Sequence, residues 1–475
     1  MEAVGDGRSL WRATAPRVPG DDPLPAAADV AVAGAGLVGV ATALLLARAG
    51  LRVVVFDADS IGARTTGGST AKLSVLQGTT LSALRRASDD ETLRAYAQAQ
   101  LAGQMWLRDE LHGVRGAIEP RTAYTYAVTP AGVDALRDEA EAADVAGLPA
   151  GWLDAGDIGL PFPVLCGLRM PDQAQLHPMR VLAHLAGLAR DAGVRFVDEC
   201  RLVRAETSAG DVTVETSRGA ITARHLVLAT GYPVLDRGLF AAKLIPSRQF
   251  VAAYRLPDDA RAPDGFYLSA DLVRRSVRMA TGAAGEPLLM TGGESFTPGR
   301  ERDTRDRLAA LDDWTRAHFP GAERVRWWAA QDYYKADHRP FYGIVPRSAD
   351  RIFAATGFAK WGMTNGAAAA LPMSGQILGD VPDWAEPFGS AAVAWGGLGT
   401  AVKANAEVAG EMVRGWVTPH PADGLSRVCT HLGGIVEWNA AECTWDCSLH
   451  GSRFTEDGRV LEGPAVRDLE REDAR

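Results

Sequence analysis

The sequence predicts a chain that is part α/β and part β-rich. It has a Rossmann-like dinucleotide-binding domain, a second domain of short alternating strands, and a small module at the C-terminal end. Three stretches carry that prediction. Residues Asp29–Asp59 read as strand, glycine turn, helix, strand and acidic residue, the order of a dinucleotide fold. Residues 194–330 are dominated by short alternating runs broken by turn residues, with one polar helix among them, and alternation is the period of strands. Near the end, Cys429-Thr-His431 and Cys447-Ser-Leu-His450 stand with 15 residues between His431 and Cys447, a repeated thiol and imidazole pair suited to a metal centre.

Composition bounds the rest. A chain of 475 residues has room for two or three domains with substantial cores. Its 47% hydrophobic and 23% charged residues are those of a soluble globular protein. The net charge of −9 argues against a nucleic-acid or anionic-membrane binder. No apolar run reaches the length of a membrane span, and residues 1–28 lack the apolar centre of a signal peptide. Five cysteines, three of them between 429 and 447, do not form a secreted disulfide framework. A cytoplasmic enzyme is expected. Residues 1–28 read as an extended lead-in from which Leu10 and Trp11 dock on the body.

The elements follow in order. DVAVA is a strand, Gly34 allows the tight turn, Gly36 admits a pyrophosphate, and Gly39 lets helix and strand pack closely. The helix VATALLLARAG offers its unsatisfied N–H groups to phosphate, so Ala35, Leu37 and Val38 flank the site. LRVVVF is the second strand, and Asp57 at its end accepts from a ribose diol. The loop 61–78, rich in Gly, Ser and Thr, supplies further donors. Helix is expected over 81–112, strand over 119–129, and helix over 130–146. A helix with Pro178 at its first position runs to a stop at Gly193. After 194 come strands with a hairpin turn at Arg218-Gly219, then an apolar run closed by Ala229-Thr230-Gly231. A polar helix is expected over 298–319. Residues 350–379 read as strand, glycine-rich turn and a small-residue helix from near Asn365. A helix over 398–416 precedes the closing module.

GAGLVG with Asp57, the ATG at 229–231 and TGFAKWGMTNG at 356–366 come in an order that resembles one family. It is the FAD-dependent oxidoreductases of the D-amino-acid oxidase and glycine/sarcosine oxidase group, and the resemblance covers residues 29–380. SLW (9–11), GSTAKLS (68–74), QAQLHP (173–178) and KWGMTNG (360–366) resemble the subgroup with a C-terminal Rieske module. The resemblance implies an FAD domain built from 29–80, 168–232 and 330–380. An antiparallel-sheet substrate domain from 81–167 and 233–329 would lie over the flavin ring, and 381–419 would link to a partial Rieske module at 420–475. It also implies that Gly34 to Val38 meet the pyrophosphate and that Ser69, Thr70 and Lys72 lie along the diphosphate or ring. Leu202 would bracket adenine, while Gly357 to Thr364, including Gly362 and Met363, run beside the isoalloxazine. The helix start there would stabilise negative charge on the reduced ring.

A small-molecule amine substrate follows from the same resemblance, with oxygen or another electron acceptor. Candidates facing the ring are Lys360, Trp361 and Tyr342, with His177 and Arg248 outside them; His177 also reads as a helix-start residue. Ala330 stands where sarcosine oxidases carry the cysteine that attaches FAD, so the FAD is expected to be non-covalent. Thr364 occupies the place of a carboxylate-gripping lysine, which disfavours a simple N-methyl amino acid.

Cys429, His431, Cys447 and His450 form the ligand set of a Rieske [2Fe–2S] centre; two Cys and two His also suit zinc. Two departures stand out. The cysteines that bridge the two ligand loops in this subgroup are replaced by Gly434 and Leu449. Only TPHPADGLSRV separates Val417 from Cys429, too little for the strands that normally precede the first ligand. Cys443 is an extra thiol.

Overall fold

The computed structural model describes residues 7–471 apart from 209, 236, 238, 302 and 390–423. The expected helix over 398–416 lies outside the described residues. An eight-stranded sheet forms the first layer, six of its strands in the order Phe341–Ile344, Ile352–Thr356, Gly219–Leu228, Ala27–Ala33, Val53–Phe56, Arg195–Val197, with Val212–Thr216 pairing with Gly219–Leu228 and Leu202–Thr207 with Val212–Thr216. Its centre is parallel, Ala27–Ala33 lying between Gly219–Leu228 and Val53–Phe56. Val30, Ala31, Val54 and Val55 are wholly buried, as a sheet covered on both faces requires. The helices Leu37–Arg48, Pro178–Asp191 and Gly362–Leu378 pack on the first layer.

A nine-stranded sheet forms the second layer. It is antiparallel except where Phe266–Ser269 runs parallel to Ile118–Ala127. Its partition differs from the sequence expectation. Lys72–Leu73 pairs with Gln175 and Ala174 in this sheet, and Glu323–Lys335 pairs with Leu244–Arg255 along nearly its whole length. The second sheet therefore includes 72–73, 168–176 and 330–335, stretches that the family pattern allots to the FAD domain.

Local boundaries also shift. The expected helix over 81–112 is two, Thr80–Ala87 and Asp90–Glu110, because Asp89 caps the second by accepting from the Thr92 N–H at 2.8 Å. The polar helix begins at Thr304, capped by Asp303, and 298–299 form a turn before it. The small-residue helix begins at Gly362 rather than near Asn365. The N-terminal segment is not wholly extended: Leu10–Thr14 is a helix capped by Ser9, with Leu10 and Trp11 buried.

A third, four-stranded sheet closes the chain: Val436–Asn439, Thr444–Cys447, Arg453–Phe454 and Val460–Glu462. Its small core includes Leu425, Val436, Leu449 and Phe454.

Candidate flavin cleft and cluster site

A cleft with an empty volume of about 1600 Å³, open mouth included, runs along the C-terminal ends of the parallel strands, where open α/β sheets bind ligands. Gly34, at φ 103°, makes the turn. A Cβ there would stand 2.4 Å from the Ala229 carbonyl oxygen, and one on Gly39 would stand 1.9 Å from the Gly34 oxygen. Only glycine fits either place. Asp57 lines the cleft and accepts from the Ala35 N–H at 2.7 Å and the Asp59 N–H at 2.9 Å. Burial pushes its carboxyl up, those two N–H groups opposing.

The cleft brings together Gly34, Gly36, Leu37, Val38, Asp57, Ser69, Thr70, Leu202, Ala229, Thr230, Gly231, Lys360, Gly362 and Met363, stretches scattered over most of the chain. Ala330 also lines it, with no nucleophile to offer. The Gln331 Oε1 is buried on this wall without a hydrogen-bond partner among the described residues. These features fit FAD: a glycine turn with room for phosphate, a carboxylate at the end of the second strand, and an orphaned acceptor on the cleft wall.

Other expected residues lie elsewhere. Ala35 and Gly39 shape the turn from behind. Lys72 is outside the lining: its ammonium donates to Thr70 Oγ1 at 3.0 Å and to Ser276 in the second sheet. Desolvation, with Arg278 adding, pulls it down to about 7. Gly357 makes its turn at φ 78° beyond the cleft wall. Thr364 is buried, its hydroxyl donating to the Ser74 carbonyl and accepting from the Ser74 N–H, both at 3.1 Å. Trp361 caps its helix and is buried outside the cleft. Tyr342 packs on the far side, 5.2 Å from the Phe388 ring and 6.3 Å from Trp384, since strand alternation turns it away from the cofactor. His177 accepts from the Arg180 N–H at 3.3 Å as a helix cap.

Asp332 is a wall residue that the motifs did not indicate. Its carboxylate accepts from the Tyr333 N–H at 2.8 Å and the Lys360 N–H at 2.6 Å. Desolvation pushes it up to about 6. Lys360 sits at φ 72° and donates its ammonium to Ser295; desolvation, with Arg274 adding, pulls it down to about 8. Also outside the motifs are Leu461, Glu462, Gly463 and Val466, by which the C-terminal module forms part of the cleft wall.

In that module the four expected ligands converge as two pairs. The buried Cys429 and Cys447 thiols are close enough to perturb one another, Cys429 being pulled down and Cys447 pushed up. The His431 and His450 rings lie 5.2 Å apart. Among the described residues no three of His, Cys, Asp or Glu converge on one point. A thiol pair beside an imidazole pair fits the two irons of a Rieske cluster, one held by each pair. Cys443 is exposed and apart from them. Gly434 and Leu449 do face one another: a Cβ on Gly434 would stand 2.4 Å from Leu449 Cγ, so the leucine fills the place of the bridge.

The body supplies the module's base. Arg248, the outsider of the sequence pattern, is buried and pairs with Glu442. Arg453 reaches Glu442 at 3.1 Å and Asp446 at 3.0 Å. Desolvation pushes Glu442 up, but Arg248 and Arg453 outweigh it and hold it down to about 2. The Ala441 N–H donates to Thr304 Oγ1 at 3.0 Å, and Gln331 donates to the Gly451 carbonyl at 2.8 Å.

Comparison with known proteins agrees with this layout. Residues 29–374 match the family described as FAD dependent oxidoreductase, and residues 405–471 match the Rieske [2Fe-2S] domain. A Bacillus subtilis (strain 168) protein, "Putative Rieske 2Fe-2S iron-sulfur protein YhfW", is 29% identical over 481 residues, covering 94% of this chain and 93% of its own. The cytochrome b6-f complex iron-sulfur subunit of Synechococcus sp. (strain JA-3-3Ab) is 53% identical over 47 residues, 10% of this chain and 27% of that one. Glycine oxidase from Geobacillus kaustophilus shares the fold with a TM-score of 0.64 at 18% identity, over 77% of this chain and 98% of its own. L-amino acid deaminase from Proteus vulgaris does so at 0.63 and 18%, over 79% and 99%. No helix among the described residues is long and apolar enough to cross a membrane.

Proposed function

From a chain that belongs to the FAD dependent oxidoreductase family and carries a Rieske [2Fe-2S] domain at its C-terminal end, we infer an oxidoreductase that oxidises a C–N bond. Its substrate is an amine or amino-acid-like molecule, and its electrons pass to the Rieske centre. Structures of the same fold include a glycine oxidase, an L-amino acid deaminase and an L-proline dehydrogenase, which supports that substrate class. Bound non-covalently, FAD supplies a hydride acceptor and the cluster a one-electron acceptor; the substrate C–N bond becomes C=N and is then hydrolysed.

The chain's own residues hold and tune the site. Gly34, Gly36, Leu37 and Val38 present backbone to the pyrophosphate, and Ser69 and Thr70 add donors along it. Asp332 holds the Lys360 backbone N–H, fixing the turn that opens the helix at Gly362. That helix end and the Lys360 ammonium place positive charge where negative charge develops on reduction. Of Trp361, Tyr333 and Tyr334, whose bulk would close the ring face in a non-catalytic flavin protein, only Tyr333 lines the cleft. Oxygen is the alternative acceptor, and cytoplasmic location is part of the same reading.

One observation carries the transfer to the cluster: a single cleft is walled by the flavin motifs and by Leu461, Glu462, Gly463 and Val466 of the Rieske module. The test is anaerobic titration of the purified protein with amines and amino acids. Bleaching of the flavin band followed by loss of the cluster band is expected. Absence of bleaching with every amine sinks the substrate reading.

A further inference from the structure

We propose that Tyr232 and Tyr333 are the aromatic bridge joining the flavin cleft to the imidazole side of the cluster. The inference rests on the reading that electrons pass from flavin to the Rieske centre. Tyr333 lines the cleft. Its ring meets that of Tyr232 edge-on, with centroids 5.4 Å apart. Tyr232 in turn lies 5.9 Å from the His431 ring and 6.2 Å from the His450 ring. Both tyrosines are buried, at 1% and 3% exposure, so the path from cleft to ligands is filled by protein rather than water. Edge-to-face contacts at these separations are ordinary aromatic packing.

Two features place this pair with some care. Tyr232 directly follows the Ala229-Thr230-Gly231 turn that lines the cleft, and its N–H donates to the Thr230 carbonyl at 2.9 Å. Tyr333 is tied to the module as well as to the body. Its hydroxyl donates to the Gly463 carbonyl at 3.3 Å and accepts from Gln331 Nε2 at 2.7 Å, while Gln331 also donates to Gly451. One aromatic pair is therefore fixed to the flavin turn, the cleft wall and the module at once.

Chemistry favours entry on this side. The two thiolates bring negative charge to their iron, whereas neutral imidazoles leave the other iron the easier to reduce, and histidine ligation raises the potential of such centres. With FAD and a [2Fe–2S] cluster bound, one electron would pass from reduced flavin to a ferric iron, and no bond would form or break in either tyrosine. The ring is what the path needs, not the hydroxyl.

The test is flavin photoreduction by a laser pulse in the anaerobic holoenzyme, with the flavin and cluster bands followed in time and no amine present. Tyr232→Leu and Tyr333→Leu are each expected to slow flavin-to-cluster transfer about tenfold, the change that a barrier rise of about 1.4 kcal/mol gives. Tyr232→Phe retains the wild-type rate. Iron and FAD content and the cluster's electron paramagnetic resonance spectrum stay unchanged in the Leu variants, which separates a slower path from a damaged site. Tyr333→Leu leaves the ring beside the histidines in place and carries the test should Tyr232→Leu fail to fold. Wild-type transfer with unchanged rates in both Leu variants overturns the bridge alone. A wild-type protein whose cluster never reduces overturns the transfer reading and the bridge with it.

Discussion

The flavoprotein body and the C-terminal module are held together by different physics. The body has large apolar cores on both faces of its parallel sheet, and its strands Val30 to Val32 and Val54 to Val55 are fully buried. The module has a small core around Phe454, and its border with the body is built of buried charge: Arg248, Glu442, Arg453, Asp446 and Glu462. A small β module cannot bury enough apolar surface to stand securely alone. It leans on the body, and what leans through ion pairs is specific in geometry but sensitive to loss of one partner.

The largest effect should come from breaking that border. Arg248→Ala leaves Glu442 and Glu462 facing Arg453 alone in a buried site, a cost of about 3–5 kcal/mol. Denaturation should show an early transition in which the cluster band is lost while the body remains folded. A single unshifted transition would mean that the border contributes little. Acid gives the same outcome by another route. Glu442 is held down to about 2 in the folded protein, so its contribution is fully present above the ordinary glutamate range. That contribution is lost as pH falls from about 4.5 towards 2. The cluster band should bleach in that window before the body unfolds, and Glu442→Gln should flatten the dependence.

A middle-sized effect concerns the two cluster loops. Gly434 and Leu449 touch where the subgroup carries a bridge. Gly434→Cys with Leu449→Cys, oxidised, should stabilise the module by up to about 3 kcal/mol, the value for a closed loop of this length. Gly434→Ala alone should lower iron content instead, since its Cβ would stand 2.4 Å from Leu449 Cγ and 2.7 Å from Leu449 Cδ1, a clash that the double variant removes with the leucine.

The two regions also differ in how much of them the sequence reveals. The glycine turn and Asp57 are legible because strand, turn and helix are contiguous and each glycine has a local steric reason. The Cys and His ligands are legible for the same cause, both pairs lying in short loops. Tyr342 shows the limit: it adjoins a cofactor motif, yet strand register sends its ring to Phe388. Lys72 lies in the right loop, but pairing of Lys72–Leu73 with the second sheet carries it away. Asp332, Tyr333 and the wall of Leu461, Glu462, Gly463 and Val466 leave no local pattern, because the cleft acquires them by contact between distant segments. That Arg248 and Thr304 of the body pair with the module left no local pattern either.

The smallest effect sharpens the comparison most. The cleft is braced from the N-terminal side as well as from the module. The Ser9 hydroxyl donates to the Gly67 carbonyl, and the Trp11 indole N–H donates to the Ser69 carbonyl at 2.7 Å, so residues 9–11 hold the loop that meets the cofactor. Ser9→Ala removes the helix cap to the Arg12 N–H and the buried hydrogen bond to the Gly67 carbonyl, the latter a cost of about 1 kcal/mol. Felt at the loop, that weakens FAD binding about fivefold. Flavin fluorescence on dilution measures the dissociation constant, and the acid transition of the cluster band serves as the internal control. Ser9→Ala should move the first and not the second, whereas Arg248→Ala should move the second most. If Ser9→Ala shifted the cluster transition as strongly as FAD affinity, the two braces would be one cooperative unit, and the division between body and module would exist in topology but not in energy.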